Sequence, residues 1–250
     1  MKYLSLILFS CLLLSLLVVS YFADSAFFRS EPGKPWQLQP FAHEDSLCQQ
    51  YKDLYRLTGT EPMVPDEADS SKPLVIILVD AWGVPLDDSL LKEDFSIFES
   101  INPQFILHQR NFNYNTHAEL TELTLVPQKN TFFFGGDSLE YGGREYIDNM
   151  GFEKKVFCNK CGDSTILKLL DSAMSVRDSL PVYGTFAWTT QTSREGSREK
   201  LHKTLRDIAA IASRHTDVRF IVQGTHRPIL GSPETRRKYH AHWVPVVILN

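Results

Sequence analysis

Six side chains in this sequence carry groups from which a polar reaction centre can be assembled: Asp80, Thr116, Glu119, Thr225, His226 and His242. A carboxylate and an imidazole together form the donor set that holds zinc or a harder divalent cation. A hydroxyl beside such a cation gains nucleophilic character, and the cation neutralises charge developing on a transferring group. Each position also has a quieter use. Asp80 follows an apolar run and can accept backbone N–H bonds in a turn. Thr116 and Glu119 have capping-box spacing, in which the Thr oxygen takes one amide and the Glu reaches back. His226 suits a hydrogen-bonded turn, while His240 and His242 stand two apart and share a face if the chain there is extended.

The elements that must position these groups follow from hydrophobic pattern. Residues 74–79 (Leu-Val-Ile-Ile-Leu-Val) are continuously apolar and stop at Asp80-Ala81-Trp82-Gly83, which predicts a central strand buried on both faces. Residues 219–222 and 244–249 predict two more strands, and 182–188, bounded by Pro181 and Thr189-Thr190, a fourth. Helical periodicity covers 117–125, 164–174 and 198–213, with Leu201, Leu205, Ile208 and Ile211 on one face of the last. Strands alternating with helices predict an α/β fold, a largely parallel central sheet sandwiched by helices. Ligands gather at the carboxyl ends of such strands, where Asp80, residues 189–191 and residues 223–226 stand. Gly135-Gly136 and Gly142-Gly143 read as loop glycines that follow no strand.

Ahead of this domain lies an apolar run, 4–22, free of charge and long enough to cross a bilayer as a helix. It reads as a signal anchor within residues 1–26; the competing reading is a signal peptide cleaved near Ala23-Asp24-Ser25. The expected location is membrane-anchored and extracytoplasmic, or secreted if the segment is removed. Residues 27–72, proline-rich with a brief helical stretch at 46–57, read as a stalk or an arm laid on the domain, and 73–250 as the α/β domain. The net charge of −4 and the dispersed basic residues exclude the basic stripe of a nucleic-acid binder. Arg236-Arg237-Lys238 reads as a solvated loop or an anion contact. Cys158 and Cys161 have no second pair to complete a zinc site; in an oxidising compartment they form a local disulfide, or one of them joins Cys48.

Four motifs carry a family resemblance. Leu74-Val75-Ile76-Ile77-Leu78-Val79-Asp80-Ala81-Trp82-Gly83 resembles the opening strand and first metal-ligand Asp of the alkaline phosphatase and sulfatase-like superfamily. Thr116-His117-Ala118-Glu119-Leu120-Thr121-Glu122-Leu123 resembles the nucleophile helix of its phosphoethanolamine transferase and lipoteichoic acid synthase branch, and the Ala-Glu pair is the shared element. Phe220-Ile221-Val222-Gln223-Gly224-Thr225-His226 resembles the strand ending in an Asp-His metal-binding pair, and His242-Trp243-Val244-Pro245 the His-x-Val-Pro stretch entering a later strand.

The resemblance implies Asp80 and His226 as ligands of a divalent metal (Zn, Mn, Mg or Ca), Thr116 as nucleophile, and Glu119, Thr225 and His242 as substrate-binding. The implied activity is hydrolysis or transfer of phosphate or sulfate esters, with an envelope glycan or lipid as substrate. Three positions depart from the pattern. Thr225 stands where the family has Asp, Asn115 occupies the nucleophile's register one residue before Thr116, and Gln191 lies where a His is common. The alternative reading is therefore a catalytically degenerate relative that keeps the fold as a binding or scaffold module.

Overall fold

The computed structural model describes residues 15, 47, 49–63, 72–110, 115–123, 131–136, 147, 150–152, 154–158, 161–176, 185–190, 197–228 and 232–249. Apart from residue 15, these belong to a compact unit running from Leu47 to Asn250. The apolar run 4–22 (residue 15 excepted), Cys48, Gln191 and Gly142-Gly143 lie outside the described residues. Among the described residues no helix is long and apolar enough to cross a membrane.

The strands are β1 (Arg56–Thr58), β2 (Leu74–Val79), β3 (Gln104–Gln109), β4 (Thr131–Gly136), β5 (Lys154–Cys158), β6 (Thr185–Thr190), β7 (Arg219–Gly224) and β8 (Trp243–Leu249). They form one sheet in the order β1-β3-β8-β7-β2-β6-β4-β5. Every neighbouring pair is parallel except those of β8, which runs antiparallel to both β3 and β7. The carboxyl ends of β1, β3, β7, β2 and β6 and the amino end of β8 therefore share one edge. Helices α1 (Gln49–Leu54), α2 (Asp88–Ser96), α3 (Asn115–Leu123), α4 (Asp163–Ser175), α5 (Arg198–Arg214) and α6 (Pro233–Arg236) complete the order.

Period two along each strand sorts the side chains onto two faces. On the first, Val75, Ile77, Val79, Phe220, Val222, Val247 and Leu249 pack against Leu91 and Phe95 of α2, Leu167 and Leu170 of α4, and the Leu201–Leu205–Ile208 stripe of α5. On the second, Leu74, Ile76, Leu78, Ile106, Ile221, Val246 and Ile248 cluster with Leu123 of α3 and with Met63, Met150 and Phe152. The sheet is flanked by helices, as expected. Burying each such aliphatic side chain stabilises the fold by about 1.5–3 kcal/mol. All six residues of β2 are buried, because the strand is central and both of its faces are covered.

Several elements differ from the sequence reading. Gly135 and Gly136 do follow a strand: they end β4 in register with Phe157 and Cys158 of β5, since Phe132–Phe134 supply the strand they close. Thr189 and Thr190 belong to β6 and pair with Leu78 and Val79. Leu47 and Tyr51, from the segment expected as an arm, are buried in the core, and β1 extends the sheet from the same segment. Cys158 and Cys161 are joined by a disulfide, Cα to Cα 5.5 Å, linking the end of β5 to the approach of α4.

Close approach of the chain dictates two glycines, Gly83, where a Cβ would lie 2.6 Å from Arg227 Cα, and Gly224. A Cβ on Gly224 would lie 1.9 Å from the Trp82 carbonyl oxygen and 3.2 Å from Pro245 Cδ, whereas one on Gly59 meets nothing within 4 Å. Gly224→Ala is expected to lose at least about 2 kcal/mol of unfolding free energy in urea titration, because backbone must move to admit it. Gly59→Ala is expected to stay within about 0.5 kcal/mol of wild type.

Candidate active site

Asp80 leaves the end of β2 into the shared edge and is 1% exposed. Ala81, next in the chain, holds φ at 58°, a left-handed value that costs a non-glycine residue about 1–2 kcal/mol and turns the backbone sharply after Asp80. The β2–β7 ladder continues one step past β7, with the Thr225 amide donating to the Val79 carbonyl at 3.1 Å. This brings His226 against Asp80: Nε2 lies 3.0 Å from Asp80 Oδ1. The other ring nitrogen, Nδ1, lies 2.6 Å from the Arg227 carbonyl oxygen. Both nitrogens thus face oxygen acceptors. The arrangement calls for a positive charge, proton or metal ion, between Nε2 and the carboxylate.

Sequence reasoning separates Asp80 and His226 by more than half the domain, and the fold unites them. Thr225, also buried, donates its hydroxyl to the Val79 carbonyl at 3.4 Å. Glu119 is fully buried on α3. That helix already includes Asn115, so Thr116 lies within its first turn, two places inside the position a capping residue takes. The Thr116 side chain is outside the described residues. His242 is partly exposed just before β8, and its carbonyl accepts from the Arg110 amide at 2.6 Å. His240 is buried edge-on to Tyr51, ring centroids 5.9 Å apart, and serves packing.

The turn after Asp80 is held from several directions. The Trp82 indole donates to Asp94 Oδ2 at 3.1 Å on the first face of the sheet. Asp94 Oδ1 is met by Arg198 Nη2 at 2.6 Å and His202 Nε2 at 2.8 Å. Val84 and Leu86 donate to the carbonyls of Trp243 and Lys238, and His240 donates back to Val84. The segment after β2 is thereby stitched to the segment entering β8.

On the second face the structure assembles a polar cluster that sequence reading missed. His108 and Arg110 come from β3 and the residue after it, Glu122 from α3, Gln223 from β7 and Thr58 from β1. Glu122 Oε1 receives Gln223 Nε2 at 3.2 Å and has Arg110 Nη1 at 3.2 Å and His108 Nε2 at 3.6 Å, while Oε2 accepts from the Met63 amide at 3.0 Å. His108 Nδ1 and Thr58 Oγ1 are 2.9 Å apart. The available signal was alternation: Phe105 and Leu107 face one core, Ile106, His108 and Arg110 the other, the period of a strand whose far end turns polar. Burial, and secondarily the Arg110 charge, push the His108 imidazole down to about 3.

No protein-family model and no curated protein matches the chain. Among solved structures it is similar to the C-terminal periplasmic domain of EcEptC from Escherichia coli, at TM-score 0.49 and 9% identity over 76% of each chain. It is similar also to the Streptococcus pyogenes phosphoglycerol transferase GacH, at TM-score 0.47 and 13% identity over 80% of this chain and 72% of that one. A third is a protein of the alkaline phosphatase superfamily from Vibrio parahaemolyticus, at TM-score 0.42 and 13% identity over 76% and 62%. The chemistry open to this chain follows from its own residues.

For a divalent metal, the described residues offer part of a coordination sphere. Asp80 Oδ1 and His226 Nε2 converge on one point, and the Arg227 carbonyl fixes the imidazole through its other nitrogen, as carbonyls do behind metal-bound histidines. They fit as two donors; among the described residues no group of three His, Cys, Asp or Glu forms a fuller set.

Folded His108 stays neutral down to about pH 3, while the unfolded chain binds that proton near 6.5. Unfolding therefore takes up a proton in between, and stability falls as pH drops through this window, by up to about 1.4 kcal/mol per pH unit. Urea unfolding from pH 7 to 4 is expected to show a shallower pH dependence for His108→Gln than for wild type. The other histidines are common to both proteins and cancel in the difference.

Proposed function

We propose that the protein is an extracytoplasmic phosphoester or sulfoester transferase or hydrolase whose reaction centre is the Asp80–His226 pair. One observation carries this reading: an imidazole with oxygen acceptors at both nitrogens, one of them a buried carboxylate 3.0 Å away, is a place where a cation belongs. The Cys158–Cys161 disulfide supports an oxidising compartment. The apolar run 4–22 supports attachment to a membrane, with an envelope glycan or lipid as substrate.

Asp80 and His226 would hold a divalent metal, and the Arg227 carbonyl keeps the imidazole aimed at it. When bound, such an ion makes a neighbouring hydroxyl more nucleophilic and neutralises charge on the phosphoryl or sulfuryl oxygens. Thr116, in the first turn of α3, supplies the hydroxyl. The backbone amides of that turn favour an anionic group there. Glu119, buried one turn further, and His242, at the mouth of β8, are the residues proposed to contact substrate.

A second reading is supported by Thr225. Its neutral hydroxyl bonds the Val79 carbonyl where the resembling family has a carboxylate, which removes a charged donor from a site with two. In that reading the Asp80–His226 pair is a structural ion pair, and the domain binds without turnover.

Metal analysis of the purified full chain, with nitrophenyl phosphate, phosphodiester and sulfate assays, separates the two. The enzyme reading expects about one divalent ion per chain, lost in Asp80→Asn and His226→Gln. It also expects turnover reduced at least about 100-fold in Thr116→Val with the metal retained. A metal-free wild type without turnover favours the second reading, in which Thr225→Asp is expected to create metal affinity.

A further inference from the structure

We propose that Arg110, framed by His108, Glu122 and Gln223, is a binding site for an oxyanion: a phosphate, sulfate or carboxylate group of a ligand. The Arg110 side chain is 2% exposed, and none of its Nε, Nη1 and Nη2 atoms makes a hydrogen bond among the described residues. Among the described residues its ionic neighbour is Glu122 Oε1, 3.2 Å from Nη1. That carboxylate is already committed, receiving the Gln223 side chain on one oxygen and the Met63 amide on the other. A guanidinium offers five N–H donors in a planar fork, so most of this buried group's capacity points at no acceptor among the described residues. Leaving charged donors unsatisfied inside a protein is costly, and an external acceptor removes that cost.

Three features select an oxyanion over water. Burial holds the Arg110 guanidinium below its ordinary value despite the opposing pull of Glu122, so the charge is incompletely compensated. The guanidinium fork matches two oxygens of one phosphate, sulfate or carboxylate group in a bidentate contact, which water cannot make. His108 is held neutral and adds no competing cation. Two further buried atoms border the same carboxylate without a hydrogen-bond partner, His108 Nε2 and Gln223 Oε1. Gln223 Oε1 accepts only, which suits the hydroxyl of a monoprotonated phosphate or of an adjoining sugar or glycerol unit.

Arg110 is set apart from the Asp80–His226 pair, although Gln223 lies on β7 next to β2, and the proposal does not rest on the reaction assigned there. The order β3-β8-β7-β2 puts three strand spacings, roughly 14 Å, between the strands that carry Arg110 and Asp80.

The test measures binding alone. Full-length protein is titrated by calorimetry with inorganic phosphate, sulfate and acetate in turn, which distinguishes tetrahedral from planar oxyanions. Saturable binding near one per chain is expected for at least one of them, weakened about 10-fold or more in Arg110→Gln and unchanged in Lys203→Gln, an exposed position on α5. Glu122→Gln retains Arg110 and removes its internal competitor, so its affinity is expected to rise at least about threefold. Absence of saturable binding in wild type, or equal binding in Arg110→Gln, overturns the proposal. Should Arg110→Gln fail to fold, Glu122→Gln decides: unchanged or weaker binding there overturns it as well.

Discussion

The edge chemistry of this domain depends on how closely β7 runs beside β2. Their parallel ladder, Leu74 against Arg219 through Val79 against Gly224, continues past the end of β7 into the Thr225–Val79 hydrogen bond. Only a residue without a side chain fits where Gly224 passes the Trp82 carbonyl. This approach allows a carboxylate at one strand end and an imidazole at the next to meet at 3.0 Å. A wider spacing would leave Asp80 and His226 as two separate turn residues.

Around that contact the two faces of the sheet do different work. The first is apolar and carries α2, α4 and α5, yet it anchors the turn after Asp80 through Trp82 and the Asp94–Arg198–His202 cluster. The second is apolar at one end and polar at the other, where Glu122, Arg110, His108 and Gln223 are packed away from water. In such surroundings charge interactions are strong and unsatisfied donors are costly. The polar end therefore combines firmly held groups with Arg110 donors that have no hydrogen-bond partner among the described residues, the combination expected where a ligand completes the packing.

The central strands were legible because each is a continuous or alternating apolar run ended by a polar residue, as at 74–79, 219–222 and 244–249. Helix α5 was legible from its Leu201–Leu205–Ile208 stripe. β3 was not, because His108 and Arg110 interrupt the hydrophobic signal with side chains that are buried only when Glu122 and Gln223 arrive from elsewhere. Gly135-Gly136 misled for the opposite reason: glycine is depleted in strands, and only pairing with β5 and β6 keeps it there. The antiparallel course of β8 was equally hidden, since direction depends on where the connection 225–242 crosses the edge and not on the pattern of 244–249.

By itself the sequence determined the alternation of strands and helices, the polar residues that close the strands, and hence the edge at which chemistry belongs, because period and burial are local consequences of side-chain type. Tertiary structure alone decided which of those residues meet. It joined Asp80 to His226, turned the Thr225 hydroxyl to the backbone, packed His240 on Tyr51, and placed Arg110 beside a carboxylate already committed to other donors. Such contacts depend on strand order and register, which are settled by packing across the whole sheet and are written in no single segment.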